Sequence, residues 1–508
     1  MNKKEEFLNY MTQGYACKGD FIVLGGARLD GEAVADAHIR IPLKTLNRHG
    51  LIAGATGTGK TKSLQVITEQ LSLKGIPSLV MDVKGDLSGL ARPGVETPFI
   101  TNRHANINLP WSTMGFPVEL LTLSEQNGVR LRATVSEFGP VLFSRILDLN
   151  DTQGGIMSII FKYCDDNKLG LVDLQDIRKV IQYLQGEGKA ELEKEYGAMS
   201  PASTGVILRK IIELEQQGAD RFFGEESFDI KDLMRRDSNG NGYINIIRLT
   251  DIQDKPKLFS TFMLSLLAEV YNTMPERGDQ PKPELVIFID EAHLVFNQAS
   301  KVLLEQIETI VKLIRSKGVG VYFITQNPMD VPAPVLAQLG LKVQHALRAF
   351  TANDRKNIRL TAENFPISSW YNTEEALTSL GTGEALVTAL NEKGIPTPLA
   401  AMVVRAPMSR MDILTDEEIA SINSSSHLVV KYSRVVDPES AAEILEKKIS
   451  SAELKRKEAQ ERKAGERETG RSSRTSTTRR RTTHPVVKVL TSATFIRGVM
   501  GILTKAMK

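Results

Sequence analysis

The sequence is poor in the features that mark secreted and membrane proteins. Only two of its 508 residues are cysteines, Cys17 and Cys164, which excludes a disulfide framework and is typical of a reducing compartment. Fully apolar runs, such as 285–289, are only a few residues long, whereas a bilayer span needs about 20. The N-terminus has no apolar leader. We therefore expect a cytoplasmic protein without a membrane span.

An excess of charge of one sign is also missing, since the net charge is only +3. The exception is the stretch 471–483, which carries five arginines and no acidic residue. It has no apolar side chains to bury, so we expect it to be unstructured. The last segment, 486–508, is apolar with regularly placed Lys and Arg, which favours an amphipathic helix that docks on this protein, a neighbouring subunit, a partner chain or a membrane surface.

One glycine-rich segment carries the strongest chemical signal. It lies between a predicted strand, LIAG, and an amphipathic helix, and it matches GxxxxGK[ST], the phosphate-binding P-loop. Its backbone N–H groups and the helix N-terminus suit a triphosphate, Lys60 adds a charge for the β- and γ-phosphates, and the Thr61 hydroxyl suits Mg²⁺. The predicted ATP-binding residues are Gly54, Ala55, Thr56, Gly57, Thr58, Gly59, Lys60, Thr61 and Lys62.

A second signal is a pair of carboxylates after a buried strand, LVIFI. Asp290 and Glu291 stand where a Walker B element would place them. Asp290 is predicted to hold Mg²⁺, and Glu291 to polarise the attacking water. Strands ending in Asp-Glu are common, so the prediction depends on the P-loop in the same chain.

A third strand, 320–325, ends in Gln326, which could sense the γ-phosphate or orient the water; the alternative is an ordinary strand end. Further basic residues follow: Lys342, Arg348 and Arg355. Each is either a surface ion-pair residue or a charge delivered to the nucleotide of a neighbouring subunit. We predict Arg348 and Arg355 as catalytic candidates.

Some patterns predict no ligand. Asp82 and Lys84 follow a strand near the expected nucleotide crevice, where a supporting role is as plausible as a chemical one. The segment 237–245 resembles a calcium loop, but Arg248 occupies the position of the required Glu. We predict a polar turn there. His49, His293 and His345 lack metal-ligand spacing and read as ordinary polar or site-edge residues.

The order of strand, P-loop, helix and strand predicts an α/β fold with a mainly parallel sheet. Within the predicted insertion, FPVELLTL and VRLRATVSEFG could pair as a hairpin. The predicted divisions are a short strand segment (1–50), a RecA-like P-loop NTPase core (51–90 and 241–410), a mainly helical insertion (91–240), a charged helix or linker (411–470) and a basic tail with a terminal amphipathic segment (471–508).

The motifs RHGLIAGATGTGKT, LVMDVKGDLSGLARPG, LVIFIDEAHLVF and YFITQNPMDVPAPVLAQLG resemble the HerA/FtsK group of RecA-like motor ATPases, and within it a bacterial HerA-like helicase family. The resemblance covers about 20–405. It implies a homo-hexameric ring with Mg-ATP at subunit interfaces and DNA in the pore. In this family the roles given above would fall to Lys60, Thr61, Asp290, Glu291 and Gln326.

The chain departs from that pattern in two ways. Only some fifty residues precede the P-loop, in place of the separate N-terminal barrel of larger HerA proteins. Lys342 falls at the FtsK-like position of the trans arginine, which leaves that role to Arg348 or Arg355. We expect a DNA translocase or helicase. The alternatives are an ATPase that acts on a protein partner through the insertion or the tail, and a structural ring with slow hydrolysis. The basic tail is either a DNA-phosphate contact or a solubilising linker.

Overall fold

The structure, a computed structural model, describes residues 2–296, 301–434, 436 and 438–469. Two compact units are distinguished, Met1–Leu445 and Glu446–Lys508. The first contains the sheet and nearly all of the helices. In the second, the described residues belong to one long charged helix, and the side chains of 446–461 are largely exposed.

Among the described residues, one sheet contains all of the strands. They are β1 (Phe21–Leu29), β2 (Glu32–Pro42), β3 (Gly50–Ala53), β4 (Ser78–Asp82), β5 (Val118–Thr122), β6 (Val129–Arg130), β7 (Ile244–Arg248), β8 (Leu285–Ile289), β9 (Val319–Thr325), β10 (Leu341–His345), β11 (Glu384–Thr388) and β12 (Ala400–Val404). The order across the sheet is β2–β1–β12–β11–β10–β3–β9–β8–β4–β7–β5–β6.

The described residues also form helices. They are α1 (Lys3–Gly14), α2 (Lys60–Leu73), α3 (Pro98–Asn106), α4 (Val135–Ile146), α5 (Asp151–Asp166), α6 (Leu174–Gln185), α7 (Lys189–Glu195), α8 (Pro201–Gln216), α9 (Pro256–Thr273), α10 (His293–Phe296), α11 (Lys301–Ile314), α12 (Ala333–Leu336), α13 (Ala352–Glu363), α14 (Thr373–Ser379), α15 (Asp416–Ser425), α16 (His427–Tyr432) and α17 (Ala441–Thr469).

The centre of the sheet is parallel, from β10 through β3, β9, β8, β4 and β7 to β5. Strands β3, β4, β8 and β9 are buried along their whole length. Continuous burial is typical of parallel strands because helices cover both faces. The predicted α/β class with a RecA-like, mainly parallel core is confirmed.

The other end of the sheet is antiparallel, and it contains the strands predicted from FIVLGG and HIRIPL. Strand β1 pairs with β2 and β12, and β11 joins β12 to β10. Helix α1, which the strand prediction for 1–50 omitted, begins with a capping box between Asn2 and Glu5. It buries Phe7 and Met11 in the same core as β1 and β2, so the N-terminal helix packs against the antiparallel end of the sheet.

The predicted hairpin between FPVELLTL and VRLRATVSEFG is wrong, because β5 and β6 run parallel. Strand β5 joins the core sheet beside β7, in register from Val118 with Ile244 to Thr122 with Arg248. All five of its residues are buried, which suits a strand inside a parallel sheet better than a half-exposed hairpin. A Cβ on Gly128 would lie 2.7 Å from the Leu120 carbonyl oxygen, so glycine permits the tight return.

Helices α4 to α8 follow, in the stretch predicted as a mainly helical insertion. Aromatic side chains pack their interior, for example Phe138 against Phe223 at 5.2 Å between ring centroids. That interior is continuous with the apolar face of the sheet, because both belong to one buried cluster. The insertion boundaries themselves stay a prediction.

Toward the C-terminus, the predicted charged segment (411–470) contains α15, α16 and α17. The basic tail, 471–508, and its terminal amphipathic segment lie outside the described residues. Of the helices that the structure describes, none has the length and apolar character required to traverse a bilayer.

Candidate functional site

The P-loop joins the end of β3 to the start of α2. Gly57 and Gly59 have φ values of 77° and 112°, a left-handed region that glycine adopts without a Cβ clash. On α2, Leu64, Ile67 and Leu71 share one face at helical spacing and are all buried. The sequence therefore forms a tight turn followed at once by a helix whose N-terminus opens onto that turn.

Some backbone N–H groups of the loop bond to neighbouring strand ends, and others are available to a ligand. The N–H of Gly54 donates to Thr325 O at 3.3 Å and that of Ala55 to Ala346 O at 2.9 Å. These two predicted ATP-binding residues thus fasten the loop to the neighbouring strand ends. Thr56 and Gly57 are exposed at its tip. The first N–H groups of a helix have no carbonyl partner inside it. Those of Lys60, Thr61 and Lys62 are therefore available to bind an anion.

The Lys60 side chain is buried in the concavity of the loop, with 6% exposure. Its ammonium donates to Gly54 O at 2.7 Å and to Ala55 O at 3.1 Å. Burial, reinforced by the nearby Lys84, lowers the pKa of Lys60, while Glu291, Asp290 and others raise it. A cation held by weak carbonyl partners in such a place would exchange them for phosphate oxygens.

The adjacent Lys62 points elsewhere. Its Nζ donates to Met411 O at 2.7 Å and to Gln65 Oε1 at 3.2 Å. Met411 belongs to a segment after β12 that crosses helix α2, and the buried Glu69 holds that segment by accepting from the backbone N–H groups of Met408 and Ser409, both at 2.9 Å. In this structure the Lys62 side chain therefore secures the helix, leaving its backbone N–H for the nucleotide.

A buried histidine supports the loop from behind. His345 Nε2 lies 2.8 Å from Ser63 Oγ on α2, and Nδ1 lies 2.8 Å from Glu384 O. Burial lowers the pKa of His345 to about 4, so the imidazole is neutral at physiological pH. A Cβ added to Gly54 would meet the His345 Cβ at 2.5 Å. Of the two interpretations of His345, ordinary polar or site-edge, the structure favours the second, and its partners come from distant segments.

Sheet register brings the three predicted strand ends together. Ala53 at the end of β3 is paired with Thr325 at the end of β9. One strand further, Phe323 of β9 is paired with Ile289 of β8. Asp290, Glu291 and Gln326 therefore lie at the same carboxyl edge as the P-loop, where parallel α/β sheets bind ligands.

The two carboxylates after β8 are almost completely buried. Asp290 is 5% exposed and Glu291 4%. Burial, followed by the negative charge of Glu291, raises the pKa of Asp290 to about 7. Glu291 adopts a positive φ of 47°, which is uncommon for a non-glycine residue and is associated with functional sites.

Asp82, at the end of β4, lies beside Asp290 and Glu291, because Met81 of β4 is paired with Ile289 of β8. We call these three carboxylates the acidic corner. Asp82 accepts from the N–H groups of Gly85 and Leu87 at 2.7 and 3.1 Å, so it shapes the loop after β4. That loop presents Lys84, whose Nζ forms an ion pair with Glu291 Oε1. Partial burial lowers the pKa of Lys84, but Glu291 and its acidic neighbours outweigh this and raise it.

These residues fit Mg-ATP by their chemistry. The Thr61 hydroxyl and the Asp290 carboxylate are oxygen donors of the kind Mg²⁺ prefers. Two buried oxygens, Glu291 Oε2 and Asp86 Oδ1, have no hydrogen-bond partner, although His293 Nδ1 lies 3.1 Å from the former. Buried acceptors normally have a partner, and a metal ion with its bound water would supply partners for these two oxygens. Asp86 was not among the predicted site residues.

The remaining predicted residues lie on or after β9 and β10. Gln326, Arg348 and Arg355 are all exposed. Lys342 on β10 is half-buried, and its ammonium donates to Asn364 O at 3.2 Å. The structure thus locates the two arginines on one segment after β10, and their catalytic role stays a prediction.

The calcium-like segment is a polar turn before β7, as predicted. Asp237 Oδ1 accepts from the N–H groups of Asn239 and Asn241 at 2.9 and 2.8 Å. The carboxylate is therefore used to close the turn.

Known proteins resemble this chain in sequence and in fold. It is 22% identical over 404 residues to a DNA double-strand break repair helicase HerA of Sulfolobus acidocaldarius, covering 78% of this chain and 72% of the helicase. A protein of the same description from Sulfurisphaera tokodaii is 23% identical over 357 residues, 70% of this chain and 64% of its own. A solved structure of plasmid coupling protein TrwB in complex with ADP and Mg²⁺ has 15% identity and a TM-score of 0.50, covering 79% of this chain and 100% of that chain.

The family model described as helicase HerA-like C-terminal matches residues 28–507, most of the chain. This match includes the P-loop, the Asp290–Glu291 pair and the strands that bring them together. The family resemblance predicted from the motifs is confirmed. The protein is an ATPase that belongs to the HerA-like helicase C-terminal family.

Proposed function

We propose that this ATPase is a ring-forming DNA translocase or helicase that hydrolyses Mg-ATP at its subunit interfaces. The observation that carries the chemistry is the common sheet edge of the P-loop and the Asp290–Glu291 pair, fixed by the register of β3, β9 and β8. The DNA substrate and the ring are inferred from the family, whose relatives include DNA repair helicases.

In this proposal each residue has one task. Lys60 and the N–H groups at the start of α2 bind the phosphates. Thr61 and Asp290 would hold Mg²⁺, which would supply positive charge to the phosphate oxygens. Glu291 orients and polarises the attacking water. Gln326, at the neighbouring strand end, contacts the γ-phosphate or that water. TrwB, a protein of the same fold, has been solved with ADP and Mg²⁺, which supports this choice of cofactors.

The assembly in this proposal is a homo-hexamer, as the family resemblance implies, with sites shared between subunits. A trans-acting cation must project from the surface of its own subunit, and the exposed Arg348 and Arg355 meet that requirement. Delivery by a neighbour would couple hydrolysis to the ring. We propose the cytoplasm as the location.

ATP turnover and native mass, measured with and without DNA across salt concentrations, test this function. We expect a hexamer whose turnover rises on addition of single- or double-stranded DNA. The stimulation should weaken steeply with salt, because DNA binding releases counterions. Removal of 471–508 tests whether the basic tail contributes to the salt dependence. Turnover that saturating DNA leaves unchanged would contradict the proposal.

A second candidate is an ATPase that remodels a protein partner. One observation favours it: helices α6 to α8 border an open groove of about 690 Å³ lined partly by Leu184, Leu192 and Met199. Capture of a defined partner by the full chain, lost in Met199→Glu and accompanied by no DNA stimulation, would favour this function over translocation. The basic tail is the alternative docking segment.

A further inference from the structure

A cavity of about 590 Å³ lies beside the P-loop, at the antiparallel end of the sheet. Helix α3 forms one wall with Phe99, Asn102 and Asn106, while Glu32 at the turn between β1 and β2 and Glu384 at the start of β11 contribute the others. Pockets for small organic ligands commonly have volumes of about 300–1,000 Å³. Neither the P-loop nor the acidic corner lines this cavity.

A single residue, Gly383, separates the cavity from the phosphate-binding turn. Arg103, which also lines the cavity, donates its guanidinium to Gly383 O and, at 2.7 Å, to Val404 O. Gly383 in turn donates its N–H to Thr58 O at 2.9 Å. A Cβ added to Gly59 would lie 3.2 Å from Gly383 Cα. The cavity is thus one residue away from the P-loop.

The walls have the chemistry that a nucleoside requires. The Phe99 ring is 68% exposed, and Arg103 Cζ lies 5.6 Å from its centroid, an arrangement in which a flat base can stack. Asn102 and Asn106 are four residues apart on α3, and so lie on one face of the helix. Each amide both donates and accepts, which matches the donor–acceptor edge of adenine.

Glu384 follows Gly383 in the chain, so its carboxylate lines the cavity on the side of the P-loop. Its side chain is 20% exposed and is fixed by an ion pair with Arg28 and by the N–H of Gly381 at 2.7 Å. A fixed carboxylate is a suitable acceptor for ribose hydroxyls.

We infer that this cavity binds the nucleoside half of ATP, with ribose near Glu384 and adenine on Phe99 between Asn102 and Asn106. The inference rests on the P-loop binding the phosphates, as in the proposed function, and it assigns the rest of the ligand. It makes α3, a helix outside the P-loop and acidic motifs, the source of base affinity.

Calorimetric titration of the full chain separates the two halves of the ligand. The probes are the β,γ-imido analogue of ATP and inorganic tripolyphosphate, each with Mg²⁺. We expect Phe99→Ala, and separately the double change Asn102→Ala with Asn106→Ala, to weaken analogue binding about tenfold, as expected for loss of a stacking or amide contact, and to leave tripolyphosphate binding unchanged. The matched control is Thr101→Ala, on the same helix but not lining the cavity, which should bind both probes normally.

Two results would overturn the inference while sparing the P-loop. One is unchanged analogue binding in both cavity variants. The other is an equal loss of both probes, which would mean that α3 only supports the fold. A different result, no binding of either probe to the unmodified chain, would overturn the phosphate assignment as well, so failure of the inference is distinguishable from failure of the proposed function.

Discussion

Lys84 Nζ and Glu291 Oε1 form an ion pair between the ends of two adjacent parallel strands, β4 and β8. Glu291 is the residue expected to polarise the attacking water, and in this pair its carboxylate is occupied by a cation. The lysine side chain is 40% exposed, whereas the glutamate side chain is 6% exposed, so Lys84 is the partner with room to move. The pair would therefore hold Glu291 in an inactive arrangement until Lys84 leaves it.

Lys84→Ala should raise ATP turnover in the absence of DNA, because it frees the Glu291 carboxylate. A partly exposed pair is worth up to about 1 kcal/mol, which corresponds to about a fivefold change in rate. The measurement is steady-state phosphate release with and without DNA. The rate with DNA divided by the rate without DNA should be smaller than in the unmodified chain. Lys84→Arg, which keeps the charge, is the control. A DNA-free rate that stays constant or decreases in Lys84→Ala would exclude this restraining role.

Two variants of the nucleotide site should distinguish ATP binding from ATP cleavage. Glu291→Gln keeps the shape of the side chain but loses the base, so kcat should fall at least about a hundredfold while ATP still binds. Lys60→Ala removes the charge in the concavity of the loop and should abolish nucleotide binding. Nucleotide retention and phosphate release are measured on the same preparations. Tight ATP binding by Lys60→Ala would count against the phosphate assignment.

The arginines after β10 can be tested by mixing variants. Arg348→Ala or Arg355→Ala should lower kcat by about 10³-fold, as for other trans-acting arginines, with little change in ATP affinity. A subunit carrying Arg355→Ala has an intact P-loop, and one carrying Lys60→Ala has an intact arginine. Mixed rings of the two should therefore regain part of the activity that each alone lacks. Arg359→Ala, on the same segment but paired with Glu363, serves as the control; absence of recovery with either arginine would argue for sites complete within one subunit.

The parts of the site that could be predicted are those formed by residues contiguous in the sequence. The P-loop, from Gly54 to Thr61, and the Asp290–Glu291 pair each combine a strand, a turn and specific side chains in one short stretch of sequence, so together their spacing reveals them. The carboxyl edge at which they meet follows from parallel strand order. The same reasoning gives the α/β class.

What the sequence did not reveal depends on contacts between distant segments. The ion pair of Lys84 with Glu291 requires β4 and β8 to be neighbours, and the contact of His345 with Ser63 requires β10 to lie beside the P-loop helix. Strand β5 was taken for half of a hairpin because its apolar residues say that it is buried but not which strand it joins. Helix α1 was missed because its capping box at Asn2 precedes a weakly amphipathic stretch.

Acid should loosen the nucleotide site through His345. Burial holds the pKa of this histidine at about 4 in the folded protein, against about 6.5 in an unfolded chain. Between these values the unfolded state binds more protons, so the free energy of unfolding rises with pH in this window and falls as pH drops from 6.5 toward 4. At pH 5 the loss from this group is about 2 kcal/mol relative to neutral pH. His345→Gln should melt at a temperature that changes less between pH 7 and pH 5 than that of the unmodified chain, whereas His427→Gln, which alters an exposed histidine, should keep the full change. An identical pH dependence in all three proteins would mean that His345 is not the group that acid titrates behind the P-loop.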